Sequence, residues 1–465
     1  MPPEPSTTPS TAFPTRELLW LTGIGLLLRA AFVLLEPPVP PVADERTWTN
    51  WALEVLLSER VALNPLDTRM IFYPPLYPYF IALTWLPFGS LLAVQLAQVL
   101  VSAALIPAVG RVGTLWLGRR AGLVAAAVTA FEPMLIWFSA HFWSETLFLT
   151  ILWWAFERLL QADLRRKTGL AVAAGLLWGV SILTRETALY FTPLAACWLA
   201  WGRRRDGGLV RGAAFLLAAL VVVAPWTWRN ARVFEGAFVP VSTAGGLNLW
   251  QGNAPITRYE VYVLYDEVEG RVEQYRYARQ RGLELIRERQ PWWLFEKLRD
   301  ELPHFWEAEN QAMIHIQRGA YGPVRPLAAA AAAAVTIAPY LLVLGVFAVG
   351  LAALRFDRRT ALLLGFLFFH NALHIVTHGF ARYRLPVMPV VFVVAAAAFV
   401  AWRGGELRLA GPRRVAAGVL LALAALLVAP GLGNAARHPA YDLRQPLELR
   451  HPRTGEPAQE SPTPE

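Results

Sequence analysis

The sequence predicts an all-α integral membrane protein with about eleven transmembrane helices, a periplasmic loop of juxtamembrane helices after the first span, and a second, large periplasmic loop. Of its 465 residues, 55% are hydrophobic and only 17% are charged, whereas about 25% are charged in soluble domains. The mean hydropathy is +0.38. Apolar segments long enough to cross a bilayer recur along the chain, and short clusters of Arg and Lys separate them.

Eleven segments are predicted as spans because each approaches the roughly 20 apolar residues that a crossing needs. They are 17–35, 90–117, 121–138, 143–161, 168–184, 187–202, 209–226, 327–353, 360–378, 385–402 and 414–431. The apolar segment 75–88 is short and interrupted by prolines, so we expect an interfacial or re-entrant helix there.

The positive-inside rule then orients the chain with its N-terminus in the cytoplasm. With eleven spans, five basic clusters fall on the cytoplasmic side: Arg119-Arg120, Arg165 to Lys167, Arg203 to Arg205, Arg355 with Arg358-Arg359, and Arg403 to Arg414. We therefore expect a multi-pass protein of the cell inner (plasma) membrane, held by an uncleaved first span, with its functional face in the periplasm.

This topology divides the chain into seven parts. They are a cytoplasmic tail (1–16), the first transmembrane helix (17–35), a first periplasmic loop with interfacial helices (36–89), a helical core (90–226), a large periplasmic loop (227–326), the C-terminal transmembrane helices (327–431) and a disordered periplasmic tail (432–465). In the large loop we expect a strand and turn in "AFVPVSTAGGLNLWQGN" and helices over roughly 267–289 and 292–310.

Composition excludes two classes of site. The single cysteine, Cys197, lies in an apolar run, so cysteines build neither a disulfide framework nor a zinc site. The net charge of +9 is explained by the cytoplasmic clusters that membrane topology requires, and we predict no nucleic-acid partner.

Acidic residues mark the periplasmic face. Asp44 and Glu45 follow the first span and lead into an aromatic, amphipathic stretch; they are either ordinary solvated acids or the reacting end of a membrane enzyme. Glu132 and Glu145 fall at a similar depth, at the outer ends of the third and fourth spans, and Glu145 is predicted to face the same site.

Four arginines break the positive-inside rule. Arg185, Arg229, Arg382 and Arg384 all lie at outer ends of spans. Any one of them could snorkel to the interface at little cost. Four arginines at the same membrane depth, beside carboxylates, predict a phosphate site, because a planar guanidinium binds phosphate well.

Three histidines, His370, His374 and His378, share one face of the ninth span. They fit either metal ligation or a hydrogen-bonded polar stripe. We assign no metal ligand and no cofactor from the sequence, although a divalent metal is compatible with it.

These groups together suit one chemistry. Phosphate is a good leaving group, so breaking a sugar–phosphate bond needs charge stabilisation more than a strong acid. The attacking hydroxyl must lose a proton, for which one carboxylate is sufficient. Direct displacement would invert the anomeric centre.

The same regions carry a family resemblance. The chain resembles the bacterial membrane glycosyltransferases related to protein O-mannosyltransferases and to the lipid A aminoarabinose transferase, whose architecture is called the C-type glycosyltransferase fold. The matching segments occur in order over about residues 17–400: "ADERTWTNWALEVL", "FYPPLYPYFIAL", "PMLIWFSAHFWSETLF", "LLWGVSILTRETALYFTPL", "PWTWRNARVFEGAFVPVSTAGGLNLWQGN" and "FARYRLPVMPVV". Each segment alone is weakly specific, but the occurrence of all six in this order is specific.

The resemblance implies roles for particular residues. Asp44 would be the catalytic base and Glu145 would line the site; the donor would be a polyprenyl-phosphate-linked sugar and the acceptor a lipid, glycan or protein. The residues predicted to bind the donor phosphate or substrate are Arg382, Arg384, Arg185, Arg229, Glu45, Tyr73 and His378.

One departure narrows the chemistry. The aminoarabinose transferases have a Glu-Lys pair before a double proline, whereas this chain has Phe72-Tyr73 before Pro74-Pro75. This argues against aminoarabinose transfer and against any metal that such a glutamate would bind.

We therefore predict an integral membrane glycosyltransferase that uses an Asp base and acts by inverting displacement. The alternative from another class is a polytopic transporter or lipid flippase of cell-envelope glycoconjugates, and a third is a non-catalytic partner that retains the fold. Transporters tend to place their charges near the membrane midplane, whereas the candidate groups here cluster at outer span ends.

Overall fold

The computed structural model describes residues 13–37, 39–42, 44–57, 73–201, 206–234, 238–308, 310–317 and 319–437. These residues are helical apart from turns and connecting segments, and no strand occurs among them. The strand expected near residue 240 is therefore wrong: the helix Ala244–Gln251 occupies the second half of that stretch. Most of the two predicted tails and the cluster Arg203 to Arg205 lie outside the described residues.

The α-helices follow the predicted order. The first half contains Thr15–Leu35, Asp44–Leu57, Leu76–Trp85, Leu91–Leu117, Arg119–Phe131, Pro133–Ala140, Ser144–Arg165, Thr168–Thr184, Thr187–Trp201 and Gly208–Val233. The outer loop contains Ala244–Gln251, Arg258–Asp266, Arg271–Glu288, Trp293–Trp306 and Gln311–Gln317. The C-terminal part contains Pro326–Ala353, Arg358–Val376, a 3₁₀ turn at Ala381–Val387, Met388–Arg403 and Pro412–Arg437.

The chain is a multi-pass membrane protein. Seven helical segments in its described part are long and apolar enough to cross a bilayer, or eight if one bent pair is a single span. All eleven predicted spans coincide with helices or helix pairs, but Ser144–Arg165, Thr168–Thr184 and Thr187–Trp201 fall short in length or apolarity. The count of eleven is not confirmed.

The predicted third span is broken at Glu132. The helices Arg119–Phe131 and Pro133–Ala140 meet at an angle of 49°. Pro133 cannot continue a helix but suits the first position of a new one, and the Glu132 carboxylate accepts a hydrogen bond from the Leu135 amide at 2.6 Å. Glu132 is therefore a helix cap.

Small residues let the central helices approach closely. A Cβ on Gly175 would overlap the carbonyl oxygen of Phe215, and one on Gly179 would crowd Ala219 and Val222. Such contacts between backbones stabilise helix pairs in membranes, where van der Waals packing replaces the hydrophobic effect. Buried Trp153 and Trp178 fill the space beside them and donate their indole N–H groups to backbone carbonyls.

Several short helices pack over one end of this bundle. Asp44–Leu57 and Leu76–Trp85 meet through Trp48 and Tyr77, whose ring centroids are 5.4 Å apart. The helix Trp293–Trp306 is fixed on Arg358–Val376 by a hydrogen bond from the Trp306 indole to Asn371 at 2.8 Å. The segment 238–308, which contains this helix, covers the same end of the bundle and is termed the roof.

Orientation can be tested by cysteine labelling in a Cys197→Ala background. We expect Ser90→Cys to react with a membrane-impermeant maleimide from outside and Asp206→Cys to react only after permeabilisation, because Asp206 neighbours the basic turn at Arg166. Labelling of Asp206→Cys in intact cells would contradict the predicted orientation.

Candidate active site

A cavity of about 330 Å³ lies between the roof and the adjacent ends of the spans. Eight segments line it. They contribute Asp44 and Trp48; Tyr73 and Pro74; Trp143 to Glu145; Thr184 to Thr187; Ser242, Ala244, Asn248 and Gln251; Arg258 and Tyr262; Gln311 and Ile314; and His374, Thr377, His378, Phe380, Arg382 and Tyr383. The structure thus brings together Asp44, Glu145, Arg185, Arg382, Tyr73 and His378 from the predicted set.

A chain of opposite charges runs along one side of the cavity. Asp44 Oδ2 accepts a hydrogen bond from Arg382 Nη2 at 2.7 Å. Glu145 Oε1 lies 4.0 Å from Arg382 Nε and 2.8 Å from Arg185 Nη1. Glu145 is buried, and the two arginines stabilise the negative charge of its carboxylate. It therefore holds both guanidinium groups at the same edge of the cavity.

Aromatic rings fix the position of Arg382. Its guanidinium carbon lies 4.3 Å from the ring centroid of Trp143 and 5.1 Å from that of Tyr383. The side chain is 14% exposed, whereas that of Asp44 is 42% exposed. Stacked arginine is preorganised for an anion, and the more open carboxylate beside it is accessible to a second reactant.

Arg384 does not line this cavity. It donates to the carbonyl oxygens of Phe305 and Glu307, at 3.3 and 2.7 Å, and lies over the Tyr340 ring. The 3₁₀ turn at Ala381–Val387 explains the difference, since residues two apart on such a turn point in different directions. Arg229 is not among the lining residues either; it lies over the Trp226 ring and donates to Asn230.

Glu45 also turns away from the cavity. Its Oε1 accepts from the Phe142 amide at 3.0 Å and lies 3.0 Å from His141 Nδ1, while Oε2 accepts from the Val42 amide at 3.2 Å. Adjacent helical residues point about 100° apart, so Asp44 faces the cavity only because Glu45 is held on the other side.

His141 extends this contact to a further loop. Its Nε2 lies 3.1 Å from Glu36 Oε1, which also accepts from the Tyr321 hydroxyl at 2.8 Å. Burial alone would lower the pKa of His141, but the hydrogen bonds to Glu36 and Glu45 outweigh it and raise the pKa to about 9. The imidazole is therefore a cation between two carboxylates at neutral pH.

Glu45, His141 and His315 could also hold a metal ion, since one ligand atom from each lies within 4.8 Å of the others. One carboxylate and two imidazoles form a donor set that zinc accepts. In the arrangement present, however, both ring nitrogens of His141 are bonded to carboxylates. A metal ion would have to displace one of these hydrogen bonds. The reaction proposed for the cavity requires no metal ion.

The histidine stripe is organised around Tyr383. His370 Nε2 lies 2.8 Å from the Tyr383 carbonyl, the His374 ring stacks on the Tyr383 ring, and His378 Nε2 lies 3.3 Å from the Tyr383 hydroxyl. Burial and the nearby charge of Arg258 hold the pKa of His378 well below its usual value. His374 and His378 line the cavity, and His378 faces it as a neutral imidazole.

Sequence reasoning missed several lining residues. Glu186 and Ser242 bond to each other at 2.8 Å across two segments, and Arg258 lies over the Phe380 ring at 3.8 Å. Glu186 directly follows Arg185, so its position beside an exceptional arginine was the available signal. No pattern in the sequence pointed to Ser242, because its relevance comes only from its contact with Glu186.

A model of one known family matches part of the chain. Residues 73–228 match the family model described as dolichyl-phosphate-mannose-protein mannosyltransferase. The predicted resemblance is confirmed. A comparison with curated proteins finds no match.

Two solved structures are similar to this chain. The archaeal oligosaccharyltransferase AglB from Archaeoglobus fulgidus, in complex with an inhibitory peptide and a dolichol-phosphate, is 15% identical, with a TM-score of 0.50 over 90% of this chain and 55% of its own. ArnT from Cupriavidus metallidurans, bound to undecaprenyl phosphate, is 17% identical, with a TM-score of 0.39 over 83% of this chain and 77% of its own. At 15% identity, the likeness to the archaeal structure shows the fold alone. The chain spans about half the length of the archaeal structures it matches.

The His141 contact predicts a stability that falls at alkaline pH. A raised pKa means that the contribution is fully present below about pH 6.5 and is lost as the pH rises through about 9. Since one pKa unit corresponds to about 1.4 kcal/mol, the contribution is on the order of 3 kcal/mol. We expect the melting temperature of the wild type to fall between pH 7 and pH 10, and that of His141→Gln to be lower at pH 7 and to change less.

His304→Gln is the matched control, because His304 also pairs with a glutamate but its side chain is 57% exposed. It should follow the wild-type pH profile. Parallel profiles for His141→Gln and the wild type would show that His141 is not the titrating group.

Proposed function

We propose that this protein is a membrane glycosyltransferase that moves a sugar from a polyprenyl-phosphate donor to a hydroxyl acceptor at the outer face of the membrane. The observation that carries the proposal is the 2.7 Å contact between Asp44 and Arg382 in the cavity. It places a group that can accept a proton directly beside a group that can bind a phosphate.

The reaction would be a single displacement. The acceptor hydroxyl gives its proton to the Asp44 carboxylate as its oxygen forms a bond to the anomeric carbon. On the opposite face, the bond between that carbon and the phosphate oxygen breaks, and the phosphate leaves with the electron pair. The product sugar is inverted at the anomeric centre.

Positive charge at the phosphate supplies most of the stabilisation. As the sugar–oxygen bond breaks, negative charge grows on the phosphate, and fixed cations stabilise it more than mobile water does. Arg382 is stacked and Arg185 is bonded to Glu145 and Ser144, so neither must be reorganised during the reaction. Glu145 acts here by holding the arginines, without taking a proton.

The location of the cavity suits a lipid-borne donor. It lies at one end of the spans, which is the outer end in the predicted orientation, and there a polyprenyl phosphate would present its head group while its chain stays in the bilayer. A transporter would need a path across the membrane. The acceptor, whether lipid, glycan or protein, would enter beneath the roof formed by residues 238–308.

Replacing Asp44 tests the base. Asp44→Asn keeps shape and hydrogen bonding but removes basicity, so we expect the rate of sugar transfer to fall by about 10²–10⁴-fold with little change in donor binding. The donor is first identified by mass spectrometry of glycolipids and glycoproteins from cells with and without the protein. The rate is then measured in single-turnover reactions with purified protein.

Two further variants serve as controls for Asp44→Asn. Asp300→Asn, an exposed acid of the roof paired with Arg299, should transfer sugar at the wild-type rate. Glu45→Gln should mainly lower the melting temperature, because it weakens the contact with His141. A near-normal rate in Asp44→Asn would rule out this base.

Replacing Arg382 tests the phosphate site. Arg382→Lys keeps the charge but removes the planar fork, and we expect the affinity for bare polyprenyl phosphate in nanodiscs to fall by about 10–100-fold. Arg384→Lys is the comparison, since its guanidinium bonds to backbone carbonyls outside the cavity. It should reduce stability and leave affinity unchanged; the reverse pattern would move the phosphate site to Arg384.

A further inference from the structure

Glu186 differs from the other carboxylates of the cavity. Asp44 and Glu145 are each paired with arginine. Among the described residues no cation pairs with Glu186, whose Oε2 accepts instead from the Ser242 hydroxyl at 2.8 Å. Burial raises its pKa to about 7, because no positive charge offsets the loss of water. The reaction proposed above gives this group no task.

Several polar, uncharged side chains line the same cavity as Glu186. They are Thr187, Ser242, Asn248 and Gln251. The Thr187 hydroxyl is buried and has no hydrogen-bond partner within the described part of the chain. A buried polar atom without a partner is costly unless a ligand satisfies it.

A glycine packs closely against the Glu186 carboxylate. A Cβ on Gly245 would lie 2.8 Å from Glu186 Oε1, so a larger residue would require the carboxylate to shift. The adjacent residues Ala244 and Gly246 are buried in the start of the same outer helix, which fixes the distance between helix and carboxylate.

The chemistry of Glu186 and these uncharged side chains selects among the parts of the proposed substrates. A carboxylate without a cation repels phosphate, which the arginines attract. Apolar lipid would leave the hydroxyls and amides without hydrogen bonds. Sugar hydroxyls can donate to Glu186 and can both donate to and accept from Thr187, Ser242 and Gln251.

We propose, on the basis of the function proposed above, that Glu186, Thr187, Ser242 and Gln251 form the subsite for the sugar ring of the donor. Glu186 selects the sugar by accepting hydrogen bonds from its hydroxyl groups. The donor would then lie with its phosphate at Arg382 and Arg185 and its sugar against these four residues. Arg185 would then bind the phosphate of the donor, and its neighbour Glu186 would bind the sugar.

The expected loss of affinity for the sugar donor follows from the strength of a hydrogen bond to a charged group. Losing one such bond, while its partner stays buried, weakens binding by about 10–100-fold. The same site should discriminate between sugars that differ in a single hydroxyl, because the mismatched sugar leaves the carboxylate without a donor.

The experiment measures the affinity of wild-type protein in nanodiscs for bare polyprenyl phosphate and for polyprenyl phosphate carrying mannose, glucose or galactose. We expect the wild type to bind at least one of the three sugar donors more tightly than the bare lipid. Glu186→Gln and, separately, Gln251→Ala should reduce this gain by about 10–100-fold and leave the affinity for the bare lipid unchanged. Glu284→Gln, an exposed acid of the roof, is the matched control and should behave as the wild type.

Each outcome is decisive. A sugar-dependent gain that survives in both Glu186→Gln and Gln251→Ala, or no gain with any of the three sugars in the wild type, would overturn the subsite. Binding of the bare lipid that depends on Arg382 would leave the proposed function intact in either case. If the wild type bound neither bare lipid nor any sugar donor, both proposals would fall together.

Discussion

The buried contact of His141 with Glu36 and Glu45 is the constraint on which the rest of the site depends. It joins the segment after the first span to the turn before the helix Ser144–Arg165. Buried charges are stable only when paired, and removing one partner leaves an uncompensated ion. The contact therefore holds the start of the helix Asp44–Leu57 in one rotation. Because Glu45 is held by His141, Asp44 faces the cavity and accepts a hydrogen bond from Arg382.

The cavity separates two kinds of polar group. Arg382 and Arg185 are paired with carboxylates and supported by aromatic rings, whereas Glu186 is paired with the uncharged Ser242 hydroxyl. A phosphate-linked sugar has the same division, with an anion at one end and hydroxyls at the other. Electrostatics alone would then orient the donor, because a reversed donor would place its phosphate against an unpaired carboxylate.

The roof contributes part of the cavity lining although it carries no strongly diagnostic motif. Ser242, Gln251, Arg258 and Tyr262 come from it, whereas Asp44, Glu145 and Arg382 come from segments at the span ends. Under the proposed function, catalysis and recognition would therefore be supplied by different parts of the chain. Changes in the roof could alter the sugar or acceptor without disturbing the proton acceptor, which agrees with function residing in sites placed on a shared fold.

The sequence by itself determined the membrane class, the order of the helices, the Asp44 and Arg382 candidates and the resemblance to the glycosyltransferases, because apolar length and charge asymmetry are local properties of the chain. Whether the helices at 144–165, 168–184 and 187–201 each cross the bilayer stays open, since they are short or polar. Only the tertiary structure separated Asp44 from Glu45 and Arg382 from Arg384, because the direction of neighbouring side chains depends on the turn that carries them. Only it could pair Asp44 with a residue 338 positions away, or place Glu186 against Ser242. Those contacts arise from packing between distant segments, which no local pattern records.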